Sequence, residues 1–357
     1  MMRFVMRLCG VAVLLCAALV VAGRKQIAQE SSPLLELADA LDRHASRIER
    51  FRAEYTITEG TVEGWVKEGL SVEDALSRRF VARESPAYIV TAEFAVDFRQ
   101  NHEYYKQRQP LNDRSKYRNI EMAFDGQVTM HVIRDDPDRV GSGTVAKGRI
   151  EELDPAKVGR PRPTDVWYWQ VATGGGDGWT GNLADAFRGA VAHRIAEESY
   201  NGIACVCVSL IRKELWTSVQ HDGETAQGVR KVAWRYWLSR EHNLLPVRID
   251  KLDSSREYVD PDGDVVVTDE DFNGEVVVSF IQSGFREIKP GVWVPMMSRS
   301  FRFWPSFWGE PPAVSETRID TVLINDGVSV PARIVFPVGT VVSDEVAGTR
   351  YRVKVTQ

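Results

Sequence analysis

The stretch Val232-Ala-Trp-Arg-Tyr-Trp-Leu-Ser-Arg-Glu-His-Asn-Leu-Leu-Pro-Val-Arg-Ile-Asp250 decides the fold class. Val232, Trp234, Tyr236 and Leu238 share one parity, and Lys231, Arg235 and Ser239 fall on the other. A period of two is the alternation of a strand with one buried face. Glu241-His242-Asn243 supplies a turn, and Leu245, Val247 and Ile249 continue as the return strand. After a polar excursion the alternation resumes at Val276, Val278 and Phe280. It turns at Pro290-Gly291 and leaves through Val292, Trp293 and Val294 to Pro295. Two successive hairpins over 229–295, each with an apolar face, are the repeat of an antiparallel meander. The predicted class is α+β: a large curved antiparallel sheet, a half-barrel, with helices covering its concave face.

Upstream, Ser31-Ser32-Pro33 is a helix start, and Leu34, Leu37, Leu41, Ala45 and Ile48 recur at helical steps. The helix runs into the alternating Phe51-Arg-Ala-Glu-Tyr-Thr-Ile-Thr58. Ser71-Val-Glu-Asp74 has capping-box form, so Val72, Leu76 and Phe80 read as a short helix ended by Ser85-Pro86. Tyr88, Val90, Ala92, Phe94, Val96 and Phe98 predict a strand, and the polar run 102–109 an exposed or edge strand. Asp125-Gly126 between Ile120, Met122, Phe124 and Val128, Met130, Val132 is a hairpin signal. A surface excursion is expected over 134–165, a strand over 166–171 and a helix over 182–198 with Leu183, Phe187, Val191 and Ile195 on one face. Asn201-Gly202 then turns into a strand over 203–212. Further strands are read at 317–324, 332–336 and 351–355, with Asn325-Asp-Gly327 as a turn. The expected organisation is a signal peptide over 1–23, then a half-barrel over 30–312 with insertions at 63–86, 134–165 and 253–271. A β extension over 313–357 packs on the sheet or continues it.

Arg3 and Arg7 precede an uncharged apolar run over 8–23 that ends in the small residues Ala22-Gly23. This is the pattern of a secretory signal peptide, and the run falls short of the ~20 residues that span a bilayer. Cys9 and Cys16 follow leucines, not the small residue a lipid-attachment site requires. Export to the periplasm or cell envelope, soluble after cleavage, is the expectation. Cleavage would leave Cys205 and Cys207, two apart on one strand face, where a mutual bridge has poor geometry and two small buried thiols are the plain reading. A formal charge of −5 gives no overall attraction for nucleic acid.

Constellations for chemistry are sparse. Gly174-Gly-Gly-Asp-Gly178 lacks the lysine and the parallel surroundings of a phosphate cradle, which makes it a connector. Asp260, Asp262 and Asp264 are the calcium candidates, but Val265 stands where a calcium loop of this type needs glycine. His44, His102, His131, His193, His221 and His242 fall on separate elements, and no nucleophile elbow or zinc-protease motif occurs. The chain is expected to be non-enzymatic, with no cofactor.

What remains is the apolar face. If the strands direct Phe94, Phe98, Phe124, Met130, Trp234, Tyr236 and Phe280 to one side, two outcomes are open. The helices pack that side completely, or they leave a cavity for a hydrocarbon chain. A dozen buried methylenes at ~0.8 kcal/mol each would supply on the order of ten kcal/mol before association costs.

The order of features resembles the periplasmic lipoprotein-carrier superfamily, the LolA/LolB-like fold that includes outer-membrane lipoprotein-sorting proteins. The resemblance lies in the first helix running into Phe51, in Phe124-Asp-Gly126 and in Trp237-Leu-Ser-Arg-Glu-His-Asn-Leu-Leu-Pro-Val-Arg248. Phe285-Arg-Glu-Ile-Lys-Pro-Gly-Val-Trp-Val-Pro295 is similar to the family's closing hairpin. The resemblance implies a binding protein that holds a lipid acyl chain or lipoprotein anchor in the concave cavity. The alternative on the same scaffold is an envelope sensor or protein-interaction module without bound lipid.

Overall fold

The computed structural model describes residues 32–63, 72–83, 89–111, 117–135, 147–152, 183–219, 225–253, 258–259, 267–303 and 313–354. The signal-peptide segment, the strand expected at 166–171, the glycine connector and Asp260, Asp262 and Asp264 lie outside them.

Three helices and seventeen strands are present among the described residues. The helices are α1 (Pro33–Ala45), α2 (Val72–Ser77) and α3 (Leu183–Arg188). The first strands are β1 (Arg50–Val62), β2 (Phe80–Ala82), β3 (Ile89–Asp97), β4 (His102–Pro110), β5 (Tyr117–Phe124), β6 (Thr129–Asp135) and β7 (Lys147–Glu151). The meander follows as β8 (Ala192–Tyr200), β9 (Ile203–Val219), β10 (Thr225–Ser239), β11 (Pro246–Asp253), β12 (Tyr258–Val259), β13 (Glu275–Lys289) and β14 (Val292–Arg302). β15 (Ala313–Ile324), β16 (Val341–Asp344) and β17 (Thr349–Arg352) close the list, and a single 3-10 turn covers Asp269–Phe272.

The ladders join these strands into one curved, unclosed sheet. From edge to edge the pairings run β8, β9, β10, β11, β13, β14, β15, β1, β3, β4, β5, β6, β7, β16, β17. Every pairing is antiparallel except β7 with β16. β2 extends the end of β1 beyond β3, and β12 extends β10 beyond β11. β15 joins the two halves, pairing with β14 on one side and with β1 from Phe51↔Ile324 to Gly60↔Val314 on the other. Residues 313–324 therefore form the seam of the sheet, while β16 and β17 continue it at the far end beyond β7. Gly60 is obligatory at that seam: a Cβ there would lie 2.4 Å from the Phe80 ring and from the Val81 carbonyl.

Both faces carry apolar clusters, the inner one continuous and the outer ones in separate patches. On the inner face, Leu34, Leu41 and Ala45 of α1 and Leu183 and Phe187 of α3 pack on Phe51, Tyr55, Phe94, Tyr105, Met122, Trp234 and Tyr236. The alternation that makes this possible runs through the first part of β1, where Phe51, Ala53, Tyr55 and Ile57 are buried, and then changes face at Gly60 and Val62. On the outer face α2 covers Val62, Phe301 and Val314, and the segment after β15 brings Val330, Ile334 and Phe336 onto Ala95, Tyr104, Ala123 and Val132.

Several sequence expectations change. The helix read over 182–198 stops at Arg188, and Ala192–Tyr200 is strand β8. Asn201 (φ 51°) and Gly202 (φ 82°) form a two-residue turn with both central φ positive. Such a turn requires antiparallel strands on both sides, which overrides the helical spacing of Val191 and Ile195. The polar run at 102–109 is no edge: β4 pairs with β3 and with β5. Phe80 belongs to β2, since α2 ends at Ser77. Residues 147–151, within the expected surface excursion, form strand β7. Residues 332–336 form no strand. Bracketed by Pro331 and Pro337, the segment instead lies across the outer face, with Ile334 buried against Ala95 and Tyr104 and Val335 exposed.

Candidate functional site

Phe94, Trp234, Tyr236 and Phe280 meet in the inner cluster. Trp234 stacks on Tyr236 at 6.3 Å between centroids, and Phe187 of α3 meets Tyr236 edge-on at 5.6 Å. Phe51 lies 6.3 Å from Phe94. Trp234 is 1% exposed, Tyr236 0% and Phe94 2%, so the chain's own helices seal this floor, while Phe280 is half-buried at its margin. Arg188 ties the two covering helices together, donating from Nη2 to Asp39 (2.8 Å) and Asp42 (2.6 Å) of α1.

The other three expected lining residues lie elsewhere. Phe124 is buried, two residues beyond Met122 on the same strand face but outside the main cluster. Phe98 sits in the turn after β3 and is 37% exposed. Met130 is on the outer face, against Ala123 and Val132. The reason is register: Ala123 pairs with Met130 and Phe124 with Thr129, so 122 and 130 point to opposite sides.

The outer face carries the open space. A groove of about 720 Å³ crosses β1, β3, β4, β5 and β6, and a second of about 740 Å³ adjoins it at Thr56 and Asp320. Cross-strand register arranges their side chains in rows. Arg318, Thr56, Thr91, Arg108, Asn119 and Arg134 stand opposite one another on six successive strands. Two residues along, Glu54, Glu93, Lys106 and Glu121 form a mainly acidic row. Arg108 lies 3.9 Å above the Tyr117 ring, and Arg52 bridges Glu93 at 2.8 Å. Tyr104, whose hydroxyl donates to Glu121 at 3.0 Å, has its pKa raised by burial and by that carboxylate. Arg108 and Arg134 are exposed, so the basic row is presented to solvent.

Elsewhere on the outer face the charges are internal. Arg248 donates to both oxygens of Asp250 (3.0 and 2.7 Å) and of Glu73 on α2 (2.9 and 2.7 Å), and its guanidinium lies 4.6 Å over Trp237. Burial raises the pKa of Asp250 against the pull of Arg248 and of the Ser279 hydroxyl, which donates to it at 2.7 Å. Lys231 pairs with Asp271 at 2.8 Å, where burial is outweighed by that ammonium and the Thr268 N–H and the carboxyl stays below its usual range. These groups hold elements together. Cys205 and Cys207 are free and buried on the outer side beside Trp237, and burial pushes the Cys207 thiol up to about 12. Among the described residues no group of three or more His, Cys, Asp or Glu is placed to hold a metal. No helix among them is long and apolar enough to cross a membrane.

Sequence reasoning missed the basic row. Its only trace was the polarity of 102–109, and the alignment of Arg108 with Asn119 and Arg134 exists only once three strands are in register.

No family model and no curated protein matches the chain. Among solved structures it is similar to a domain named for outer membrane lipoprotein sorting, from Vibrio parahaemolyticus, at 8% identity and a TM-score of 0.39. That match covers 82% of this chain and 93% of that one. It is also matched to the Pseudomonas aeruginosa MucA/MucB complex at 10% identity and a TM-score of 0.17, over 82% of this chain and 100% of that chain. A structure of MucB with MucA(peri) follows at 10% identity and 0.16, over 79% and 93%. Likenesses at these scores say nothing of what this chain binds.

Proposed function

We propose that the chain is an exported, non-catalytic binding module of the cell envelope that engages a protein partner along the outer grooves. The observation that carries this reading is the contrast in cover. The aromatic floor that would receive a hydrocarbon is sealed by α1 and α3, with Trp234 and Tyr236 at 1% and 0% exposure. The open surface is instead a charged groove with exposed Arg108 and Arg134. A hydrocarbon guest would have to lift α1 and α3 and forfeit the buried area beneath them. Salt bridges and hydrogen bonds from rows of both signs would give a protein partner its register along the groove.

The test pairs two probes. A photo-crosslinker at Thr91 or Arg108 is expected to trap one envelope protein in fixed ratio, and Arg108→Glu to abolish its recovery. Fluorescent fatty acid is expected not to be taken up, and mass spectrometry to find no stoichiometric lipid. Fatty-acid uptake that quenches tryptophan fluorescence, with no loss of partner on Arg108→Glu, would overturn the proposal in favour of an acyl-chain carrier.

A further inference from the structure

The two edges of the sheet differ. β17 has four residues, a length that offers little to a passing strand. β8 has nine residues and contains no proline or glycine. It pairs with β9 without a register break from Ala192↔Ile211 to Tyr200↔Ile203. Among the described residues β9 is its only strand partner.

The pattern of hydrogen bonds shows which groups of β8 face outward. The Arg240 N–H donates to the Ala204 carbonyl at 3.0 Å, so the even residues of β9 bond to β10 and the odd residues bond to β8. Their partners on β8 are the even residues, and Tyr200↔Ile203 closes the Asn201-Gly202 turn as a two-residue hairpin requires. The N–H and C=O groups of His193, Ile195, Glu197 and Ser199 therefore point away from the sheet.

We propose that β8 pairs with β8 of a second copy of this chain, antiparallel and centred on Ala196. The dyad of such a pair stands perpendicular to the sheet, so only registers centred on a residue are allowed. With Ala196 opposite itself, Ile195 faces Glu197 of the copy and His193 faces Ser199. All four outward N–H and all four outward C=O groups of each chain are then used. The same register puts Arg194 opposite Glu198 in the closely spaced, non-hydrogen-bonded position, twice across the dyad. A centre at Glu197 would set that carboxylate against itself. A centre at Ile195 would leave Ser199 outside the pairing. Backbone satisfaction and charge complementarity thus select one register. Arg194 and Glu198 have internal partners, Asp269 and the Trp237 indole N–H, that hold them in place while leaving donors and lone pairs for the copy.

The test is the mass of the purified chain by light scattering and sedimentation. A dimer is expected, and Glu197→Pro is expected to return it to monomer. This substitution removes an outward N–H and no bond to β9, and unchanged circular dichroism will report an intact fold. Arg194→Glu and Glu198→Arg are each expected to be monomeric, because each sets like charges across the dyad. Mixed together they are expected to form a heterodimer. A wild-type monomer at all concentrations, or a dimer that survives Glu197→Pro, would overturn the proposal. Failure of the mixture to associate, with a wild-type dimer, would overturn the register.

Discussion

The inner and outer faces of this sheet use the same residue types to opposite ends. Inside, Trp234 and Tyr236 are buried in one continuous cluster beneath α1 and α3. Outside, the apolar clusters are separate patches under α2 and the segment after β15, and the groove between them is charged and open. A strand pattern gives both faces the means to pack. Which face stays open depends on where the covering elements land.

The largest expected effect tests the sealed side. Trp234→Ala should cost ~3–5 kcal/mol of stability by urea denaturation, because it opens a cavity under α1 and α3. A cost below ~1 kcal/mol would mean the floor is not packed and would erase the contrast between faces.

Arg248→Ala tests whether the outer face is held by buried charge. It strands Asp250, which is 0% exposed, and should cost ~3 kcal/mol or more. Replacing both partners by Met and Leu should recover most of the loss, as measured by the same denaturation.

Acid sharpens the comparison further. Burial lowers the pKa of His242, which stacks on Phe285 at 4.2 Å and pins the β10–β11 turn to the β13–β14 hairpin. Burial, with Arg47 and Arg43, also lowers that of His44 on α1. The unfolded chain protonates these rings near 6.5 while the folded chain resists. Their contribution to stability is therefore complete above that pH and is lost as pH falls through 6.5 towards the lowered folded values. The melting temperature should drop over this window. His242→Phe should flatten the drop.

The smallest effect on stability belongs to the groove. Arg108→Ala should change unfolding free energy by no more than ~0.5 kcal/mol, while weakening partner recovery. A larger loss of stability would make the basic row part of the scaffold.

Much of the architecture was legible in short-range signals. The hairpin at Asp125-Gly126 forms as read, with the Asp125 carboxylate accepting from the N–H groups of Gln127 (3.1 Å) and Val128 (2.9 Å). The Asn325 turn also forms. Its side chain accepts from Glu49 N–H and Arg50 N–H and donates to the Arg47 carbonyl, fastening the junction of α1 and β1. The strand hidden in 192–200 was announced by Asn201-Gly202 but masked by residues that also fit a helix. The site was less legible: Met130 missed the inner face because one residue of register in a hairpin exchanges the faces of a whole strand.

Alternation and turn chemistry, read from the sequence by itself, determined an antiparallel meander with an N-terminal helix and an apolar side. Local backbone preferences and the period of side chains act over a few residues and need no distant partner. Only the tertiary structure decided that α1 and α3 close the inner face, that β15 is the seam, and that Arg108, Asn119 and Arg134 stand in one row. These depend on pairing between segments far apart in sequence, where register and cover are set by the competition of many strands for the same neighbours.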